Sequence, residues 1–193
     1  KWHIEHARNC PCTPSGGIPE EVKKRYMGTH QEFWIFFHRN DQKALALWAA
    51  DCAEHILPLF EEKYPQDPRP RDAIRALREW VHTGQFSMPL IRGASLAAHA
   101  AAREVQEEDK AASYAARAAG QAVGTAHVPT HALGPVLYSI KAIAATNPSD
   151  LKAAIAQERE WQTRRLPENL REWVNSWLKQ KQQHLPKNLR NLD

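Results

Sequence analysis

The stretch Asp109-Lys-Ala-Ala-Ser-Tyr-Ala-Ala-Arg-Ala-Ala-Gly-Gln-Ala-Val-Gly-Thr-Ala-His127 decides the fold class. It reads as one helix from about Asp109 to His127, and alanine, the strongest helix former, dominates it. Gly120 and Gly124 lie four apart on one stripe with Ala112, Ala116, Val123 and His127. A stripe with so little side-chain volume lets a neighbouring helix axis come close. The enrichment is regional: 18 of the 52 residues from Ala94 to Ala145 are alanine. This predicts a tightly packed helical centre, with Trp48, Phe60, Trp80 and the leucines filling the space around it.

Working outward, helical signals continue on both sides. Asp41 is placed to cap a helix in which Leu45, Trp48, Ala49, Cys52, Ile56, Leu59 and Phe60 recur at helical spacing to about Tyr64, with a kink at Pro58 that frees the Glu54 carbonyl. Asp67-Pro-Arg-Pro70 reads as a rigid connector, followed by a helix from Arg71 to His82 stopped by Gly84. Ser87 opens the next helix, with Pro89 in its first turn, to about Gln106. Beyond the central stretch, Pro129 and Pro135 impose a bend, and helices follow at His131–Ala145, from Ser149 or Asp150, and from Pro167 to about Gln183. No set of strands is present in the pattern. The expected fold is all-α, one bundle of about seven helices over residues 42–193, preceded by an irregular segment, 1–41, with a short helix at Pro19–Tyr26 and an aromatic run at Phe33–Phe37.

Composition narrows the class further. The chain has 193 residues, 42% hydrophobic, with three cysteines, which excludes a disordered chain and a disulfide scaffold. No apolar run reaches the roughly 20 residues that span a bilayer, so the expected location is cytoplasmic, away from membranes. The formal net charge is +4. Residues 159–193 hold eight Lys and Arg against four Asp and Glu, so the entire excess sits in these C-terminal helices and the rest of the chain is neutral. The same segment holds a short repeat, Leu166-Pro-Glu-Asn-Leu-Arg171 and Leu185-Pro-Lys-Asn-Leu-Arg190.

Candidate chemistry falls in three places. His3, His6, Cys10 and Cys12 are four zinc-competent ligands in ten residues, although their spacing matches no familiar zinc module; otherwise no cofactor is expected. His127 and His131 are four apart, but Pro129 between them favours a bend over a helical ligand pair. The third group lies within the helices. Asp51 and His55 are an i,i+4 pair in which the carboxylate can orient the imidazole, while Arg92, His99 and Arg103 fall within about 40° on one wheel. With Gln121, His127 and His131 these residues can build a polar pocket, if their helices turn them toward one another. Cys52 lies on an apolar face, where a thiol is inert. Phosphate-binding loops, nucleophile elbows and zinc-protease motifs are absent from the sequence.

The stretches Leu45–Phe60, Asp67–Trp80, Ala97–Arg103 and Ala115–Ala132 resemble a family of bacterial immunity proteins that accompany polymorphic toxin systems. The likeness is close over residues 42–145 and looser at Glu160-Trp-Gln and Leu166-Pro-Glu-Asn-Leu; residues 1–41 lie outside it. The resemblance implies an all-α, cytoplasmic, non-enzymatic protein that binds and neutralises a toxin. Two other readings stand beside it. One is a small-molecule binder or enzyme using Asp51, His55, His99, Arg103, Gln121, His127 and His131. The other, weaker, is nucleic-acid binding through the basic C-terminal helices, where Trp161, Trp173 and Trp177 interleave with cations.

Overall fold

The computed structural model describes residues 39–182 together with Pro186 and Leu189, and every regular element among them is helical. Seven longer helices follow one another: α1 Arg39–Ile56, α2 Arg69–Thr83, α3 Met88–Glu104, α4 Lys110–Gly124, α5 Leu133–Ala145, α6 Leu151–Arg165 and α7 Glu168–Gln182. The short helix expected at Pro19–Tyr26 and the aromatic run at Phe33–Phe37 lie outside the described residues.

Local chemistry sets most helix ends. The Asp109 carboxylate accepts the Ala112 amide at 2.9 Å to start α4, and Asp150 accepts the Ala153 amide at 2.9 Å to start α6. Each satisfies an N–H that a first turn leaves without a helical partner. Gly84 ends α2 at φ 71°, where its N–H reaches the Trp80 carbonyl at 2.8 Å. Several ends differ from expectation: α2 already begins at Arg69, inside the stretch read as a connector, and α4 ends at Gly124, a turn before His127. Asp41 does not cap α1, which begins at Arg39 and holds Asp41 in its first turn, close to the positive end of the helix dipole. Pro58 divides the expected helix in two: α1 stops at Ile56, Leu57 keeps helical angles, and Pro58 opens a separate one-turn helix, Pro58–Glu61. The Glu54 carbonyl that Pro58 cannot serve accepts the Leu57 amide at 3.2 Å.

α4 is the central element. Eleven of its fifteen residues are buried, all of them alanine, glycine, serine or valine. It touches α2, α3, α5 and the one-turn helix, which is the environment of a helix enclosed on nearly every side. Hydroxyls and a carboxamide hold the close approaches. Ser113 Oγ donates to the Ala102 carbonyl at 2.7 Å, Ser95 Oγ to that of Gly120 at 2.8 Å, and Gln42 of α1 to those of Thr125 and Ala126 at 3.0 and 3.1 Å. Trp48, Phe60 and Trp80 are buried around this centre.

The C-terminal repeat is a docking device. In its two copies Leu170 N–H donates to Pro167 O at 3.0 Å and Leu189 N–H to Pro186 O at 2.9 Å, and both leucines are buried. Leu189 packs with Ile140 of α5 and Ile155 of α6. Since Asp150 is exposed and its structural role is the cap, Asp150→Ala is expected to lower stability by about 1 kcal/mol and Asp150→Asn by much less, read from urea unfolding midpoints.

Candidate functional site

Three glycines position the polar side chains at the centre. A Cβ on Gly120 would stand 3.0 Å from His99 Nε2, one on Gly124 3.0 Å from His131 Cγ, and one on Gly134 2.5 Å from Gln121 Cβ. Two imidazoles and a carboxamide therefore lie directly against helix backbone, in space that any other residue would fill. Across them runs a chain of polar contacts: His131 Nδ1 is 2.7 Å from Gln121 Oε1, and Gln121 Nε2 is 3.4 Å from His99 Nε2. A carboxamide oxygen only accepts and its nitrogen only donates. With the carboxamide in this orientation, its oxygen accepts from His131 Nδ1 and its nitrogen faces His99 Nε2 as a donor. The His127 ring lies 5.2 Å from that of His131, and its buried Nδ1 has no hydrogen-bond partner among the described residues. Burial, then the Arg117 and Arg103 guanidiniums, hold His99 below the usual histidine range; burial alone does so for His127.

Asp51 and His55 share a face of α1 but bond to different helices, not to each other. Arg78 of α2 donates to Asp51 at 2.8 Å and to Glu54 at 2.6 Å, while Arg71 reaches Glu54 at 2.8 Å and grips both oxygens of Glu61. His55 turns to α6, where Nδ1 lies 2.9 Å from Glu158 Oε2 and the ring stacks on Trp161 at 3.8 Å. The Arg165 guanidinium sits 3.9 Å from the same indole. Glu158 is 2% exposed, and a carboxylate that deep requires partners. His55 supplies one, and Gln162 Nε2 supplies the other at 2.7 Å while also reaching Ser139 Oγ of α5 at 2.6 Å. The Gln162 carbonyl accepts Trp48 Nε1 at 2.9 Å, so α1, α5 and α6 meet through one residue. Asp51 takes the permanently charged guanidinium of Arg78, and His55 turns to Glu158, the carboxylate whose burial makes a partner necessary. Cys52 is buried, and burial with the Glu158 and Asp51 charges pushes its thiol up, leaving it unreactive.

The seven interior candidates thus divide. His99, Gln121 and His131 are joined, with His127 beside them. Arg103 is exposed and acts on His99 through its charge. Asp51 and His55 belong to the ion-pair networks of α1. Glu158 and Gln162 were not singled out from the sequence, though Leu151, Ile155, Glu158 and Gln162 recur at core spacing in α6, so the pattern marks two polar residues at core positions. His3, His6, Cys10 and Cys12 lie outside the described residues, and among those described no group of three His, Cys, Asp or Glu is arranged to hold a metal. Four of the C-terminal cations, Arg164, Arg165, Lys179 and Lys181, fall in the last turns of α6 and α7, where they face the negative ends of helix dipoles.

Two measurements check this geometry. In Gly134→Ala the new methyl overlaps Gln121, so a substitution that ordinarily favours a helix is expected to destabilise the protein by about 1–3 kcal/mol in urea unfolding. Because the fold lowers the proton affinity of His99 and His127, the unfolded chain binds more protons. Stability is therefore full above about pH 6.5, the unfolded histidine value, and declines as the pH falls from there through the lower folded-state values. His99→Gln is expected to flatten that decline in unfolding midpoints followed from pH 7.5 to 5.

No curated protein and no solved structure shows significant similarity to the chain. Residues 36–169, well over half of the chain and inclusive of the His99–Gln121–His131 contacts and the Glu158–His55 pair, match the family described as Imm-5 like putative immunity protein. With a helical body and internal polar wiring that coincide with that span, this chain belongs to the Imm-5 like immunity protein family.

Proposed function

We propose that this protein is a stoichiometric inhibitor that binds a cognate bacterial toxin and neutralises it in the cytoplasm of the cell that makes both. The family match over residues 36–169 carries the reading. The geometry is consistent with it. A small-molecule or catalytic role needs His55, His99 and His127 to face one cavity, whereas His55 is engaged with Glu158 and Trp161 of α6, and His99 contacts Gln121 of α4. His55, Glu158, Gln162, His99, Gln121 and His131 are engaged with one another across the helices, and a body cross-linked in this way offers a preorganised exterior, which lowers the ordering cost of binding a partner. None of the described helices is long and apolar enough to cross a membrane.

The test is co-expression. Cells producing the toxin encoded next to this gene are expected to stop growing without this chain and to grow with it. The purified pair is expected to form a complex with Kd near nanomolar, about −12 kcal/mol, measured by titration calorimetry. Growth arrest in both cultures, or the absence of a complex, overturns the reading.

A further inference from the structure

We infer that the outer face of α3, from the corner at Phe86 to Arg103, is the surface that receives the toxin, and that it fits an apolar ridge flanked by carboxylates. The inference rests on the toxin-binding reading above and adds the place and the chemistry of contact.

Large apolar side chains exposed among the described residues are Leu47 at 40%, Phe86 at 44%, Met88 at 43%, Leu90 at 57% and Leu96 at 55%. Four of the five fall between residues 86 and 96; Leu90 lies about 120° around α3 from Leu96, so Met88 and Leu96, with Phe86 at the corner before the helix, are the apolar members of this face. At 100° per residue Met88, Arg92, Leu96 and Arg103 lie within about 80° of one another, and at 1.5 Å per residue they extend over about 22 Å. That length suits one side of a standard interface, which is about 28 Å across.

The charges on this face are unspent. All four arginines of α2, namely Arg69, Arg71, Arg75 and Arg78, have carboxylate partners. Arg92 and Arg103 are exposed and have no ion-pair partner among the described residues. Two free guanidiniums beside exposed leucine and methionine call for carboxylates beside apolar side chains, a combination that a protein surface carries and nucleic acid does not.

Gly93 points the same way. Gly120, Gly124 and Gly134 each leave room for a side chain of this molecule, but a Cβ on Gly93 would meet nothing within 4 Å. Glycine inside a helix is unfavourable relative to alanine, and no intramolecular neighbour accounts for it at this position. A docked partner approaching the backbone closely does.

The test uses the full chain and the toxin encoded beside it, with association and dissociation followed by biolayer interferometry. Leu96→Asp and Gly93→Trp are each expected to raise Kd about tenfold or more while leaving circular dichroism and the thermal midpoint near those of the parent. Arg92→Glu combined with Arg103→Glu is expected to slow association about fivefold at low salt, and the deficit should shrink at high salt. Lys152→Glu, an exposed charge reversal on α6, is expected to bind as the parent does. If the parent binds and the α3 variants bind equally well, the docking face is elsewhere and the neutralisation reading survives; if the parent does not bind, both fall. The inference is also overturned if Leu96→Asp turns a dimer of this chain into a monomer in light scattering. Leu96-dependent binding to phosphatidylglycerol vesicles, with toxin binding unaffected, does the same.

Discussion

The fold depends on one constraint: the buried residues of α4 carry almost no side-chain volume. Burying an alanine methyl contributes about as much as one methylene, about 0.8 kcal/mol, against about 1.5–3 kcal/mol for a leucine or phenylalanine. The central helix is therefore a poor source of hydrophobic free energy. Its contribution is distance, because a face of alanine and glycine lets α2, α3 and α5 pack against it, and α3 comes close enough for serine hydroxyls to bond backbone carbonyls across the gap. The larger apolar free energy comes from side chains packed around it, such as Leu45, Leu57, Phe60, Leu77 and Ile91, all of which are essentially inaccessible to water. Small residues set the spacing and large ones fill the periphery.

A centre built from near-identical alanines specifies register weakly, since one alanine fits another's place with little penalty. The polar residues remove that ambiguity. His99 fits only over Gly120, His131 only over Gly124, and Gln121 only against Gly134, and the carboxamide bridges both imidazoles in this one alignment. The Glu158 carboxylate does the same for α1, α5 and α6, because sliding any of them separates it from His55 or separates Gln162 from Ser139. Buried polar contacts add little net stability, and removing one partner is costly. Their weight in this molecule is in choosing among packings that apolar contacts leave nearly equal in energy.

How far the sequence could be read follows from the same physics. Caps, prolines and terminal glycines act within a few residues, so the stop at Gly84 could be placed from the chain alone and the start of α6 narrowed to Ser149 or Asp150. The stripe through Gly120 and Gly124 foretold a close centre because volume is a property of the residue itself. The partners of Asp51 and His55 could not be obtained this way. A helical wheel shows which side chains share a face, and it does not show which helix lies opposite; Arg78 and Glu158 outcompete the local neighbour only once α2 and α6 are in place. The break at Pro58 is a milder case, in which the freed Glu54 carbonyl found the Leu57 amide and the chain could restart as a new turn.

The residues that carry the family resemblance raise a difficulty for a binding function, because His99, Gln121, His127 and His131 serve the packing of the bundle and Asp51 and His55 tie α1 to its neighbours. The difficulty disappears when two tasks are separated. An inhibitor must hold a rigid body, and it must present a surface that matches one partner. The first task uses interactions fixed in register, and here those are the imidazoles seated on glycines and the Glu158 network. The second uses side chains whose bonding capacity is left over after folding. On α2 every arginine is already paired, whereas on the outer face of α3 two are not, and Met88 and Leu96 beside them face solvent. The interior thus accounts for the rigid body, and the bonding capacity left on α3 is what the proposed contact would use.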